Sequence, residues 1–187
     1  MQIKDANKHR RSTALLAVGC LLLQIALAPN IALGNGRANF ALVFTGVYAL
    51  SVGGRSGVVA GFLSGLVFDL LTTGPFGLMS GIATVFAFGL GREARNRFAD
   101  GFVASLSAFG IGLLAALATY NLAMLVVGES ADFFDILFLR TFPSFALTFV
   151  CFLPFERHQV RTASQGHGLG TGNASGKHGG HYDVHGI

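Results

Sequence analysis

Charge is what this sequence has least of. Charged residues make up only 12% of the 187-residue chain and hydrophobic residues 52%, against about 25% and roughly 45 to 50% in ordinary soluble domains. That is too little charge for a soluble surface. The charge is also unevenly placed, because long apolar runs between Ser12 and Phe155 are broken by short polar clusters while both ends are hydrophilic. This is the pattern of one polytopic membrane domain with a terminal tail.

Other shortages exclude whole classes of chemistry. Only two cysteines occur, Cys20 and Cys151, both inside apolar runs, where a small apolar packing role is expected and no disulfide framework or metal site. All six histidines (His9, His158, His167, His178, His181, His185) lie outside the apolar runs. Gly61 to Gly65 and Gly77 to Gly81 carry serines in glycine brackets, as intramembrane serine proteases do, but no histidine base is within reach. HExxH, phosphate-binding glycine-lysine loops and dinucleotide fingerprints are absent as well, so no catalytic residue and no cofactor is expected. His178, His181 and His185 have metal-like spacing in a segment with no ordered second layer to hold it, so no metal is expected either. The net charge of +4 comes without a basic patch interleaved with aromatics, which argues against nucleic acid.

Taken in order, residues 1–11 form a basic amino end before a first run over 12–33. A basic start followed by an apolar stretch has the form of a signal peptide with Ala26-Leu27-Ala28 at the cut. Pro29 would follow that cut, which is unfavourable, and about 20 residues suffice to span a bilayer. An uncleaved first helix is expected. Further runs cover about 39–52, 57–71, 76–90, 102–127 and 136–155. The second to fourth hold only 14 to 15 residues each, below the ~20 of a spanning helix, so they need extension into the turns or local thinning; a re-entrant hairpin over 57–90 is the alternative. Residues 156–187, rich in Gly, His and Ser, have no apolar periodicity and are expected to be a disordered tail.

Six spans with a cytoplasmic amino end place 11 of the 13 Lys and Arg residues on the cytoplasmic side, in accord with the positive-inside rule. Both termini are then cytoplasmic. Only Arg37, in an outer loop, and Arg140, within a span, are left over.

The chain is organised around Gly53 to Gly91. Gly57, Gly61 and Gly65 fall four residues apart and Asp69 takes the next place, so a helix here carries one stripe of missing side chains ending in a carboxylate. Gly77 and Gly81 repeat the spacing after a break at Pro75, which disfavours helix at Gly74. Such stripes permit close helix approach, either within the chain or with another protein's helix. Asp69 needs a partner, since an ionised group at the bilayer centre costs ~2.5 to 3.5 kcal/mol on insertion scales. Arg140 lies at a similar depth, and Asn121 in the outer half of the fifth span. An intramembrane polar cluster of Asp69, Asn121 and Arg140 is therefore expected, with fixed packing as its plainest role and a substrate site or partner-helix surface as the alternatives.

These residues carry a family resemblance. GFLSGLVFDLLTTGPFGLMSGI, Gly61 to Ile82, resembles the G-x-x-x-G-x-x-x-D-L-L-x-x-x-P-x-G region of MreD, the rod shape-determining membrane protein of bacteria. The likeness covers Ser12 to Phe155 in architecture but only this stretch in motif, and the tail is outside the family pattern. It implies an all-α, six-helix transmembrane bundle similar to the substrate-binding subunits of energy-coupling-factor transporters. It also implies a non-enzymatic scaffold of the cell-wall elongation complex in the bacterial inner membrane, docking the single-span protein MreC and linked indirectly to MreB, RodA and a transpeptidase. Gly57, Gly61, Gly65, Asp69, Pro75 and Gly77 are then the motif and partner-docking positions, and the basic loops would meet anionic lipid. A substrate-binding subunit of a vitamin transporter is the alternative function.

Overall fold

A computed structural model describes residues 2–33, 36–96, 102–128 and 134–168. Six helices dominate it: α1 (Gln2–Ala26), α2 (Phe40–Ser51), α3 (Gly54–Leu71), α4 (Leu78–Asn96), α5 (Phe102–Val126) and α6 (Phe142–Gly168). A π-helical stretch, Asp135–Thr141, leads into α6. The described residues are 84% helical, and among them the one departure from an all-helical bundle is an antiparallel pair of two-residue strands, β1 (Ala32–Leu33) and β2 (Gly36–Arg37), with Ala32 opposite Arg37.

Three helical segments, Gly54–Leu71, Phe102–Val126 and Phe138–Arg157, are long and apolar enough to cross a membrane. Their outer faces carry large apolar side chains with no cover: Leu70 is 68% exposed, Ile111 73%, Val126 82% and Val150 62%. Soluble monomers rarely show contiguous apolar patches beyond a few hundred Å². Hydrocarbon is the solvent such a surface requires, and the chain is a membrane protein.

The short apolar runs resolve in two ways. The third and fourth are completed by extension, α3 backwards to Gly54 and α4 forwards through the basic residues to Asn96. The second stays short, with only 12 residues, or about 18 Å at 1.5 Å per residue. It does so because it is enclosed: α2 packs against every other helix, and most of its residues are buried. Its amino end is tied down by polar bonds from three directions. The Asn39 side chain accepts from the Leu42 amide at 3.1 Å, the Asn39 amide donates to Thr148 Oγ1 at 3.0 Å, and the Phe40 amide donates to Gln24 Oε1 at 2.8 Å. These satisfy α2's free N–H groups where no water is at hand.

The core lies between α2, α4, α5 and α6. Phe109 and Phe152 stack at 3.7 Å between ring centroids, and Phe86 meets Phe109 edge-on at 5.8 Å. Cys20, buried on α1, and Cys151 on α6 belong to a second cluster with Ala38 and Phe40, both as free thiols.

At the far end of the sequence the structure corrects the expected boundary. Helix α6 runs through Phe155 to Gly168, so 156–168 are helical rather than part of a disordered tail. A helix already paid its nucleation cost inside the bundle, and propagation adds one bond per residue. Residues 169–187, with His178, His181 and His185, and the loop positions Arg97, Glu129 and Asp132 lie outside the described residues.

The α3 stripe closes against the rest of the chain. The buried residues of α3 are Gly57, Gly61, Gly65 and Asp69. A Cβ on Gly65 would stand 2.5 Å from Ser80 Cα and 2.7 Å from the Met79 carbonyl, and one on Gly61 would stand 2.7 Å from both the Ala83 carbonyl and Ala87 Cβ. Gly57 faces Ala49 of α2 at 3.4 Å. The neighbours at Gly65 are backbone and cannot swing away. Gly65→Ala should therefore destabilise by about 1 to 3 kcal/mol, the usual cost of overpacking, whereas Gly81→Ala, where an added Cβ meets nothing within 4 Å, should be neutral or slightly stabilising. Thermal unfolding of the two variants in one detergent measures the difference, and equal melting temperatures would contradict it.

Candidate functional site

Asp69 lies at the last turn of α3, and its position is decided by what comes next. Thr72 leaves the helix in an extended conformation, with φ −122° and ψ 158°. Pro75 follows, and Gly77 takes φ +94°, a left-handed value that a side chain would make strained. The chain thereby reverses within six residues and α4 starts at Leu78, beside α3 and antiparallel to it.

The start of α4 is aimed at Asp69. Oδ2 accepts from the Gly77 amide at 3.1 Å and the Ser80 amide at 3.0 Å, and Oδ1 accepts from the Met79 amide at 3.1 Å. The Leu78 amide donates to the Pro75 carbonyl at 3.2 Å, and Ser80 Oγ donates back to the Gly77 carbonyl at 2.9 Å. The open donors of a helix N-terminus are thus met by a carboxylate from a different helix. Bonds to a charged acceptor are worth ~1.5 to 3 kcal/mol each, and the positive end of the α4 dipole adds to them.

This overturns the expected pairing. Among the described residues no ion pair joins Asp69 to Arg140; three backbone N–H groups, eight to eleven residues along the chain, take the arginine's place. The docking role expected of Gly57, Gly61 and Gly65 is corrected likewise, because α2 and α4 already occupy that face. Pro75 and Gly77 shape the turn that delivers the α4 amides.

The rest of the expected polar cluster does come together, but in a cavity beyond Asp69. Asn121 Nδ2 donates to Thr141 Oγ1 at 2.8 Å, fastening α5 to the π-helical stretch. Asn121 and Arg140 both line a cavity of ≈ 610 Å³ at the end of the bundle where α3 stops. Arg37 lines it from β2, and Thr72 and Thr73 from the turn after α3. The sequence reading missed Arg37, although its place among the two basic residues outside the cytoplasmic count was the available signal. Phe68, Leu117 and Met124 make the apolar wall. Among the described residues no group of three His, Cys, Asp or Glu side chains could hold a metal ion.

The other end of the bundle is different in character. Gly53 and Gly91 touch there, with an added Gly91 Cβ 3.4 Å from Gly53 Cα, so Arg55 and Arg92, both exposed, lie at the same end. Arg95 donates to the Gly91 carbonyl, and Arg157 lies 5.8 Å over the Phe102 ring.

A third feature lies on the outside, between α4 and α5. A groove of ≈ 570 Å³ is lined by Gly81, Val85 and Gly89 on one side and Ala108, Gly112 and Ala115 on the other. Added Cβ atoms at Gly81 and Gly89 would meet nothing within 4 Å, so no part of the described chain fills it.

If Asp69 is a cap, its loss should be felt as orphaned donors. Asp69→Ala should destabilise by about 3 to 5 kcal/mol, since each unsatisfied buried donor costs ~1 to 3, and Asp69→Asn, which keeps one acceptor oxygen, by less. Exchanging the charges, as Asp69→Arg with Arg140→Asp, should restore none of the loss. Accumulation in membranes and melting temperature read both effects, and rescue by the exchange would restore the ion pair as the right account.

No protein-family model, curated protein or solved structure matches this chain, so the likeness to MreD rests on the motif residues themselves.

Proposed function

We propose that this chain is an MreD-type, non-enzymatic subunit of the bacterial cell-wall elongation complex, a scaffold that holds an MreC-type single-span protein in the inner membrane. In this reading all six helices are membrane-embedded, as in the substrate-binding subunits of energy-coupling-factor transporters, and both termini are cytoplasmic. The exposed Arg55, Arg92 and Arg95 then face anionic lipid or cytoplasmic partners, with MreB, RodA and a transpeptidase reached indirectly.

The observation that supports it is the unity of the motif. Four positions of the resemblance have distinct parts in one α3–α4 unit: Gly61 and Gly65 admit the α4 backbone, Asp69 caps α4, and Gly77 makes the turn. The Asp69 carboxylate is taken up by three backbone amides and the glycines bring no side chain, which supports a structural part for the motif in a membrane scaffold.

The docking face moves accordingly from the closed stripe on α3 to the open groove between α4 and α5. Helices in lipid gain nothing by hiding apolar surface and associate through close packing on small residues. Gly81, Gly89, Ala108 and Ala115 offer that to one apolar helix. Cysteines at Val85 and Ile111, both exposed, should crosslink to a single-span partner, whereas cysteines at Val59 and Phe62 on the outer face of α3 should not. Gly89→Leu should abolish crosslinking and round the cells, as depletion does, while leaving accumulation unchanged. Rod-shaped cells on depletion, with a vitamin copurifying, would overturn the scaffold in favour of the transporter subunit.

A further inference from the structure

Eleven of the thirteen basic residues fit one side of the membrane by the charge count, and two do not: Arg37 and Arg140. The fold brings these two exceptions, more than 100 positions apart in the chain, to the same cavity. The Arg37 amide donates to Ser144 Oγ at 3.0 Å, which pins β2 to the first turn of α6, four residues after Arg140. The approach is built, since a Cβ on Gly36 would stand 2.6 Å from the Ser144 nitrogen.

Among the described residues neither guanidinium has a hydrogen-bond or ion-pair partner, and no aspartate or glutamate is among those lining the cavity. Arg37 is exposed and Arg140 half-buried, so both are within reach of a ligand. An anion between two like charges lining one space would relieve their repulsion. Guanidinium forks suit oxyanions. With five N–H donors on each arginine and the Thr73 hydroxyl lining the same cavity, the donors outnumber what the two oxygens of a carboxylate accept, which favours a phosphate. The opposite wall is apolar, with Phe68, Leu117 and Met124, and the volume is in the range of ligand sites, ~300 to 1,000 Å³.

We propose that this cavity binds a phosphate-bearing amphiphile, its phosphate between Arg37 and Arg140 and its apolar part against Phe68, Leu117 and Met124. The inference does not depend on the scaffold reading, because the site lies at the end of α3 and α5, away from the α4–α5 groove.

The test uses the full chain in a neutral detergent, titrated with dioleoyl phosphatidic acid, with dioleoylglycerol, which has the same tails and no phosphate, or with inorganic phosphate, reading the melting temperature. Phosphatidic acid should give a saturable rise and dioleoylglycerol none. Arg37→Gln with Arg140→Gln should weaken the phosphatidic acid midpoint at least tenfold, and Arg92→Gln with Arg95→Gln, at the other end of the bundle, less than twofold. Thr73 is exposed on the cavity rim, so Thr73→Glu should fold normally and also weaken binding tenfold by placing a carboxylate beside the arginines. Equal shifts with both lipids would overturn the proposal, as would wild-type midpoints in the double and Thr73 variants. Saturation by inorganic phosphate at the same concentration as phosphatidic acid would overturn the apolar half and leave a soluble phosphate as the ligand.

Discussion

The bond between the Asp69 carboxylate and the first amides of α4 sets the terms for the rest of the molecule. A helix that begins inside a membrane protein has open N–H groups and no water to meet them. Its start must be placed against an acceptor, and the strongest side-chain acceptor is an ionised carboxylate. Once Asp69 holds Gly77, Met79 and Ser80, α4 can run back along α3 only where α3 has no side chains. Gly65 then has to be glycine because Ser80 and Met79 pass it, and Gly61 because Ala83 and Ala87 do. The polar cap fixes the register, and the small residues follow from the register.

Much of this was legible in the sequence, and the exceptions share one cause. The four-residue spacing of Gly57, Gly61, Gly65 and Asp69 identified the buried face of α3 residue for residue. It could not say what buries that face, because periodicity on one helix carries no information about its neighbour. The need of Asp69 for a partner was also legible, but depth along the spans points only to side chains, Arg140 with Asn121 nearby. Backbone amides are donors too, and the nearest free ones belong to the helix that must start after Pro75 and Gly77. An acid one helical turn before a break, followed at once by a new apolar helix, is the pattern that would have found them. The same neglect of backbone demand ended the last helix at Phe155, where apolar periodicity stops but hydrogen bonding continues to Gly168. Asn121 and Arg140 line one cavity, and Thr141 as the partner of Asn121 was missed because a threonine in a run of apolar residues gives no signal of its own.

The short second helix shows how the bundle handles an element that cannot span. At 12 residues α2 would leave bare backbone ends in hydrocarbon if it stood at the periphery. Placed at the centre, it exchanges lipid for protein on every side, and its amino end receives Gln24 from α1 and Thr148 from α6. The strand pair before it supplies the remaining length. The same arrangement brings Arg37, itself exposed, to the cavity, since β2 is tied through its backbone to Ser144, and a basic residue in what reads as an outer loop becomes part of a cavity lining.

Small residues on α4 serve two opposite ends, and the difference lies in the aromatic packing beside them. On the face toward α3, Ala83 and Ala87 meet glycines and the two helices close. On the face toward α5, Phe86 is wedged against Gly112, where an added Cβ would stand 2.8 Å from its ring, and meets Phe109 behind it. That wedge joins α4 and α5 along their inner edges only. Gly81, Val85 and Gly89 are left on the outer edge with Ala108 and Ala115 across from them, and no side chain in between. Lipid chains can fill such a trough, but they are mobile, and ordering them against a rigid wall costs entropy that a preformed helix has largely paid. A surface of this shape therefore discriminates by rigidity rather than polarity. The closed stripe on α3 shows, within the same chain, the contact that small residues make when a helix is supplied to them.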